Sequence, residues 1–156
     1  MMTSEIAVRK SVTVETSQEH AFDVFVHQAS SWWPPEHCLG EPPLKEAIVE
    51  PKIGGRWYEI DSRNAHCDWG HVVAYDAPKS IVLAWQISAD FKYDPAIYTE
   101  VEVRFVAETP NTTRVELEHR GLEAYGDKAE AMRELFELPD AWQKGLDLFV
   151  KAANAR

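Results

Sequence analysis

The residues best suited to hold a metal are two His-Cys pairs, His37-Cys38 and His66-Cys67, with Asp68 and His71 just beyond the second. Zinc takes thiolate and imidazole ligands readily. Neighbours in a strand point to opposite faces, so neither pair can chelate from a regular strand. Cys67 and His71 would share a strand face, but nothing resembles a CxxC spacing. The sequence therefore leads us to expect no metal and no cofactor. His119 is the next candidate. Thr113, Val115, Leu117 and His119 alternate with charged residues, which turns the imidazole toward the core at a strand end, beside Gly121. Such a histidine is either satisfied by a backbone carbonyl or placed at a pocket mouth, where it can orient a ligand or shuttle a proton. Glu59 and Asp68 are its possible carboxylate partners. Acid–base work needs convergence, which sequence does not specify, so no catalytic residue is assigned.

Other reaction classes lack their motifs. There is no GxGxxG, no phosphate loop, no GxSxG elbow and no HExxH. Gly54-Gly55 belongs to a hairpin turn and opens no helix. What stands out is aromatic: six tryptophans in 156 residues. Each indole N–H needs a partner when buried. Two of them, Trp32 and Trp33, open the stretch WWPPEHCLGEPP, a loop with four prolines and one glycine. Large aromatics on a loop mark a pocket rim or a docking surface, or they lid the core.

The elements that must position these groups follow from periodicity. Ile6 to Val14 alternates as a half-buried strand. Thr16 or Ser17 can cap a helix with Ala21, Phe22, Phe25 and Val26 as its apolar stripe. A short second helix around Gln28 to Trp32 must stop at Pro34-Pro35. Strands are expected at Lys45–Pro51, Arg56–Asp61, His66–Tyr75, Ser80–Ile87 and Ile97–Ala107, then over Thr113 to His119. Gly70, inside its strand, signals a bulge or a close backbone approach. Lys128 to Phe136 is a short helix that Pro139 interrupts. From Pro139 to Arg156, Trp142, Leu146, Phe149, Val150 and Ala153 fall on one face of an amphipathic helix. Asp140 near its start and Lys151 and Arg156 near its end suit the helix dipole. Consecutive strands with short turns make an antiparallel sheet, and helices gathered at the chain ends argue for α+β.

Bulk properties narrow the function. One chain of this length is most simply one domain, 1–156. Hydrophobic residues make up 45% and charged residues 27%, as in ordinary globular domains. A net charge of −10 opposes binding to nucleic acid or anionic membrane, which needs clustered Lys and Arg. No apolar run approaches the ~20 residues of a membrane span. No secretory signal is recognisable, so a cytoplasmic location is expected. Two cysteines form no disulfide framework.

In order, VEPKIGGRWYEI, WGHVVAYDAPKSIVLAWQI, TEVEVRFVAETPNTTRVELEHRGLE and the Trp142-to-Phe149 segment resemble the homologues of the activator of the heat-shock-protein (Hsp) ATPase. These form a branch of the START-like, or SRPBCC, superfamily. The resemblance covers about Val8 to Ala153. It implies a helix-grip (Bet v-like) fold: a curved antiparallel sheet of about six to seven strands around a long C-terminal helix, with two short helices after the first strand. It also implies a hydrophobic cavity between sheet and helix, since superfamily relatives bind lipids, sterols, polyketides or plant hormones, and some are cyclases or hydroxylating enzymes. Eukaryotic activators carry a separate chaperone-binding domain for which this chain has no room. The resemblance therefore conveys fold more than activity.

Three functions follow as expectations. The first is a binder of a small hydrophobic or aromatic molecule, monomer or homodimer, more binder than enzyme. Its expected cavity wall is Trp32, Trp33, Trp57, Trp69, Trp85, Phe105, Leu117, His119, Trp142 and Phe149. The second is a regulator that contacts a chaperone or other protein through an exposed patch at Trp32 and Trp33. The third is a cyclase- or hydrolase-like enzyme, which requires two converging ionisable groups in the cavity, one of them strongly perturbed.

Overall fold

The computed structural model describes residues 6–155. Seven strands form one antiparallel sheet: β1 (Val8–Val14), β2 (Glu46–Val49), β3 (Arg56–Ile60), β4 (His66–Asp76), β5 (Ser80–Trp85), β6 (Thr99–Thr109) and β7 (Thr112–Arg120). Their spatial order is β1-β7-β6-β5-β4-β3-β2. Chain neighbours pair from β2 to β7, through short turns except for the longer connection 86–98 between β5 and β6, and β1 closes onto β7 with Val8 opposite His119 and Val14 opposite Thr113. The alternation in β6 and β7 is obeyed: Val101, Val103, Phe105, Val115, Leu117 and His119 are buried. The opposite face carries interleaved Arg and Glu, among them Arg120 bound to Glu100 and Glu102. Ala107, where the β6–β7 register shifts, is exposed.

Helix α1 (Gln18–Val26) starts at Ser17, whose Oγ accepts from the His20 N–H at 3.2 Å. A single 3-10 turn, Ala29–Ser31, replaces the expected second helix and delivers the chain to Trp32. After β7, Gly121 at φ +75° ends the strand, and a 3-10 stretch (Leu122–Lys128) leads into α2 (Ala129–Glu137).

The long C-terminal helix is shorter than its sequence stripe suggested. Pro139 to Gln143 forms a wide, π-type turn broken at Ala141 (φ −96°, ψ −124°), and the regular helix α3 runs only from Lys144 to Asn154. Pro139 lacks the N–H that a continuation of α2 would need, and the break at Ala141 separates its turn from α3. Arg156, expected near the helix end, lies outside the described residues. Leu146, Phe149 and Ala153 are still buried against the sheet, so the grip is made by three turns of helix. The resulting architecture is α+β, a curled seven-stranded antiparallel sheet with α3 in its concavity: a helix-grip fold. No helix among the described residues is long and apolar enough to cross a membrane.

Candidate functional site

Between the strand ends of β4 and β5, the Trp33 loop and the α2–α3 junction lies a cavity of about 330 Å³. This lies within the size range of small-molecule sites, roughly 300–1,000 Å³. Of the ten expected wall residues, Trp33, Trp69, Trp85 and Trp142 line it. The other six do not. Trp32, Phe105, Leu117 and Phe149 are core: Phe149 packs on Phe25 at 5.1 Å and on Trp32 at 5.5 Å between ring centroids. Trp57 sits behind the wall, edge-on to Trp69 at 5.5 Å and Trp85 at 5.7 Å. His119 is sealed off completely.

The wall also contains residues the periodicity did not single out. Pro34, Glu36, His37, Cys38 and Leu39 come from the proline-rich loop, and Ile87 and Phe91 from the connection after β5. Leu135 and Phe136 come from α2, Leu138, Asp140 and Ala141 from the junction and its broken turn, and Gly145 from the start of α3. Two signals pointed this way: the loop sequence after Trp33, and Pro139, which opens the helix beside the cavity. Neither indicates which side chains turn inward.

Two buried carboxylates hold the loop. Glu59 and Asp61 project from the same face of β3 and its end, and both are buried. Glu59 accepts from the N–H groups of Leu39 (2.6 Å) and Gly40 (2.8 Å) and from the Trp69 indole (2.8 Å). Asp61 accepts from the N–H groups of Glu41, Arg63 and Ala65, which hold its carboxyl down to about 2. Three successive amides, 39 to 41, are thus clamped to the sheet. Gly40 is required: a Cβ there would lie 2.4 Å from Asp61 Oδ2. Glu59 was a possible partner for His119; it is bound to the loop instead. Asp68, the other, pairs with Arg56 at 2.7 Å.

A second network sets the opposite wall. The Trp142 indole N–H donates to His119 Nδ1 at 3.2 Å. Indole nitrogen only donates, so Nδ1 is unprotonated and the neutral ring carries its proton on Nε2. Nε2 then donates to Thr99 Oγ1 at 2.9 Å, and Thr99 donates to the Trp85 carbonyl at 3.0 Å. Burial pushes the His119 pKa down to about 3. His119 is therefore a neutral strut behind Trp142, not a polar group at the cavity mouth. The Trp85 indole donates to Tyr125 Oη, which donates to the Ile87 carbonyl. Trp33 donates to the His37 carbonyl at 2.9 Å. The four cavity tryptophans thus direct their N–H groups to protein acceptors and leave carbon faces for the interior.

A glycine and a bulge place Trp69. In the β3–β4 pairing, Trp57 faces Gly70 and Tyr58 faces Asp68, so Trp69 is the extra residue. A Cβ on Gly70 would stand 1.7 Å from the Ala84 carbonyl oxygen. Only glycine lets β4 approach β5 this closely.

The mouth is polar. Ligand atoms of Glu36, His37 and Asp140 lie within 4.8 Å of one another. Lys144 already supplies the positive charge, bonding Glu36 and standing 3.3 Å from Asp140. That contact lowers the Glu36 pKa. The two His-Cys pairs do not converge: His71 Nδ1 lies 3.0 Å from Gln86 Oε1, and His66 stacks on Tyr58. Burial and the carboxylates of Glu59, Asp61 and Glu41 raise the Cys38 thiol to about 11, so it stays protonated and a poor nucleophile. Trp32 is buried and Trp33 half-buried against the tryptophan cluster, so the pair forms no exposed aromatic patch.

Residues 15–149 match the profile of the activator of Hsp90 ATPase homolog 1-like protein family. No curated protein matches the chain. Among solved structures, it is similar to an anthrahydroquino-gamma-pyrone synthase, Txn09, at 35% identity over 96% of this chain and 99% of that one, with a TM-score of 0.67. It is similar to CalC, a self-sacrificing resistance protein from Micromonospora echinospora, at 30% identity over 94% and 93% of the two chains, TM-score 0.65. Protein NE0264 from Nitrosomonas europaea shares the fold at 9% identity, TM-score 0.70, over 95% and 94%. By sequence profile and by fold, the chain belongs to the activator of Hsp90 ATPase homolog 1-like family.

Proposed function

We propose that this protein binds a small, planar, mostly apolar aromatic molecule between the Trp33 loop and the α2–α3 junction. One observation carries this reading: a cavity of about 330 Å³ whose inner wall is four tryptophans and Phe136, with the indole donors turned away. Such a wall offers stacking faces and few hydrogen bonds, so it favours flat rings over flexible polar molecules. The relatives Txn09, an anthrahydroquino-gamma-pyrone synthase, and CalC, a self-sacrificing resistance protein, are consistent with handling of small molecules in this fold.

The test is tryptophan fluorescence titrated with anthraquinones, polycyclic phenols, sterols and fatty acids. Saturable quenching by the flat aromatics is the expected result. Ala141→Trp, which fills the mouth, should weaken it at least tenfold, about 1.4 kcal/mol, while circular dichroism is unchanged. No response across the panel would end the reading.

A second reading is an enzyme that cyclises or rearranges such a molecule. The 35% identity to a synthase favours it, as does the convergence of His37 with Glu36 and Asp140 at the mouth. There His37 would transfer protons to the part of the substrate that reaches the rim. Product analysis by mass spectrometry discriminates: His37→Ala should abolish turnover while leaving quenching intact. Unchanged ligand recovered from wild-type protein leaves only the binding role.

A further inference from the structure

This inference rests on the binding reading above and concerns the charge of the ligand. The walls contain no Lys or Arg; the charged residues among them are Glu36 and Asp140. Lys144, just outside, is held by both. Apart from the His37 imidazole at the mouth, the hydrogen-bond donors that could receive an anion are engaged elsewhere. The indoles of Trp33, Trp69, Trp85 and Trp142 donate to protein acceptors. The successive amides of Leu39, Gly40 and Glu41, which would otherwise make an anion-binding nest, are clamped by Glu59 and Asp61. The start of α3, where Gly145 lines the wall, has a dipole that favours an anion. The carboxylates at Glu36 and Asp140 already answer it.

From this arrangement we infer that the cavity excludes carboxylate-bearing apolar molecules and takes their uncharged or amine-bearing counterparts. A carboxylate entering it would leave water and find one side-chain donor, the His37 imidazole at the mouth, beside two carboxylates that share a single lysine. That is unfavourable by both desolvation and Coulomb repulsion. An ammonium at the mouth meets carboxylates and indole faces, both of which attract it. The net charge of −10 acts in the same direction at longer range. The Cys38 thiol, held protonated, adds no compensating chemistry. Fatty acids and aromatic acids are therefore poor ligands despite the apolar interior, and neutral polycyclic aromatics are good ones.

The test uses three probes with one ring system: 2-(hydroxymethyl)anthracene, 2-(aminomethyl)anthracene and anthracene-2-carboxylate. Affinities are measured by tryptophan quenching at pH 8, where imidazoles are ordinarily neutral. The carboxylate should bind about tenfold or more weakly than the alcohol, and the amine at least as well as the alcohol. The double variant E36Q/D140N removes both mouth carboxylates and releases Lys144, so the gap between alcohol and carboxylate should narrow by about threefold or more. A carboxylate that binds wild-type protein within about threefold of the alcohol overturns the inference and leaves the binding reading standing. A gap that survives E36Q/D140N unchanged overturns the assignment to the mouth. Failure of all three probes removes the inference together with the binding reading.

Discussion

The aromatic interior has two halves, built from similar residues and packed to different ends. In the first, Phe22, Phe25, Trp32, Phe105 and Phe149 interlock at 4.9–5.7 Å between centroids, edge to face except for the tilted Phe25–Trp32 pair. The void at the edge of this half, lined by Phe25 and Trp32 together with Trp33 and Trp142 of the second half, is only about 10 Å³. In the second, Trp33, Trp69, Trp85, Trp142 and Phe136 make comparable ring contacts, such as Trp33 on Trp69 at 5.0 Å, yet enclose about 330 Å³. The second set has the larger rings, four indoles against one, yet it leaves the larger space unfilled. What differs is the backbone behind them. The first half is backed by regular α1, α3 and sheet, which pack side chains into one another. The second is backed by a proline-rich loop and a helix broken at Pro139, which hold the rings apart. Those irregular supports are fixed by buried polar groups: Glu59 and Asp61 under the loop, His119 behind Trp142. The cavity is thus maintained by hydrogen bonds where the core is maintained by packing.

The largest test of this contrast is Phe149→Ala. In the packed half it should cost about 3–5 kcal/mol in urea denaturation. A loss under about 1 kcal/mol would mean that this half is not tightly packed.

Acid comes next, through His119. The folded state disfavours the imidazolium, so His119 gains a proton at about pH 3 when folded and at an ordinary 6.5 when unfolded. Between those values the unfolded chain binds more protons, so stability rises with pH. The contribution is complete above pH 6.5 and is lost as pH falls toward 3, by up to ~1.4 kcal/mol per unit. Asp61 acts in the same direction lower down, between its ordinary 3.8 and about 2. His119→Gln should flatten the slope between about pH 4.5 and 6.5; an unchanged slope would show that His119 is not a sealed neutral strut.

Glu59→Gln should be smaller, about 1–3 kcal/mol, because a neutral amide can still accept from one or two of the three donors. Its signature is local: amide exchange at residues 39 and 40 should accelerate while β6 and β7 stay protected. Uniform acceleration would contradict the clamp. Phe91→Ala is the smallest. The ring is 45% exposed at the cavity rim, so stability should change by no more than ~0.5 kcal/mol while affinity for flat aromatic probes falls. Unaltered affinity would place the ligand elsewhere.

The sequence by itself determined where the strands lie along the chain, the α+β class, the buried faces of β6 and β7 and the amphipathic stripe near its end. These depend on period-2 and period-3.6 patterns, which are local and repeat often enough to be unambiguous. It also marked Gly70 as a special position and Pro139 as an interruption. It could not sort the ten expected wall residues. Trp32 and Trp33 are adjacent, yet one fills the core and the other faces the cavity. His119 and Glu59 both point inward, but toward different partners. Only the tertiary structure decided which buried aromatics touch empty space. That depends on how a proline-rich loop and a broken helix lie against the sheet, and their irregular backbones have no period to read. The cavity is a property of what those segments fail to fill, and a void has no residue of its own in the sequence.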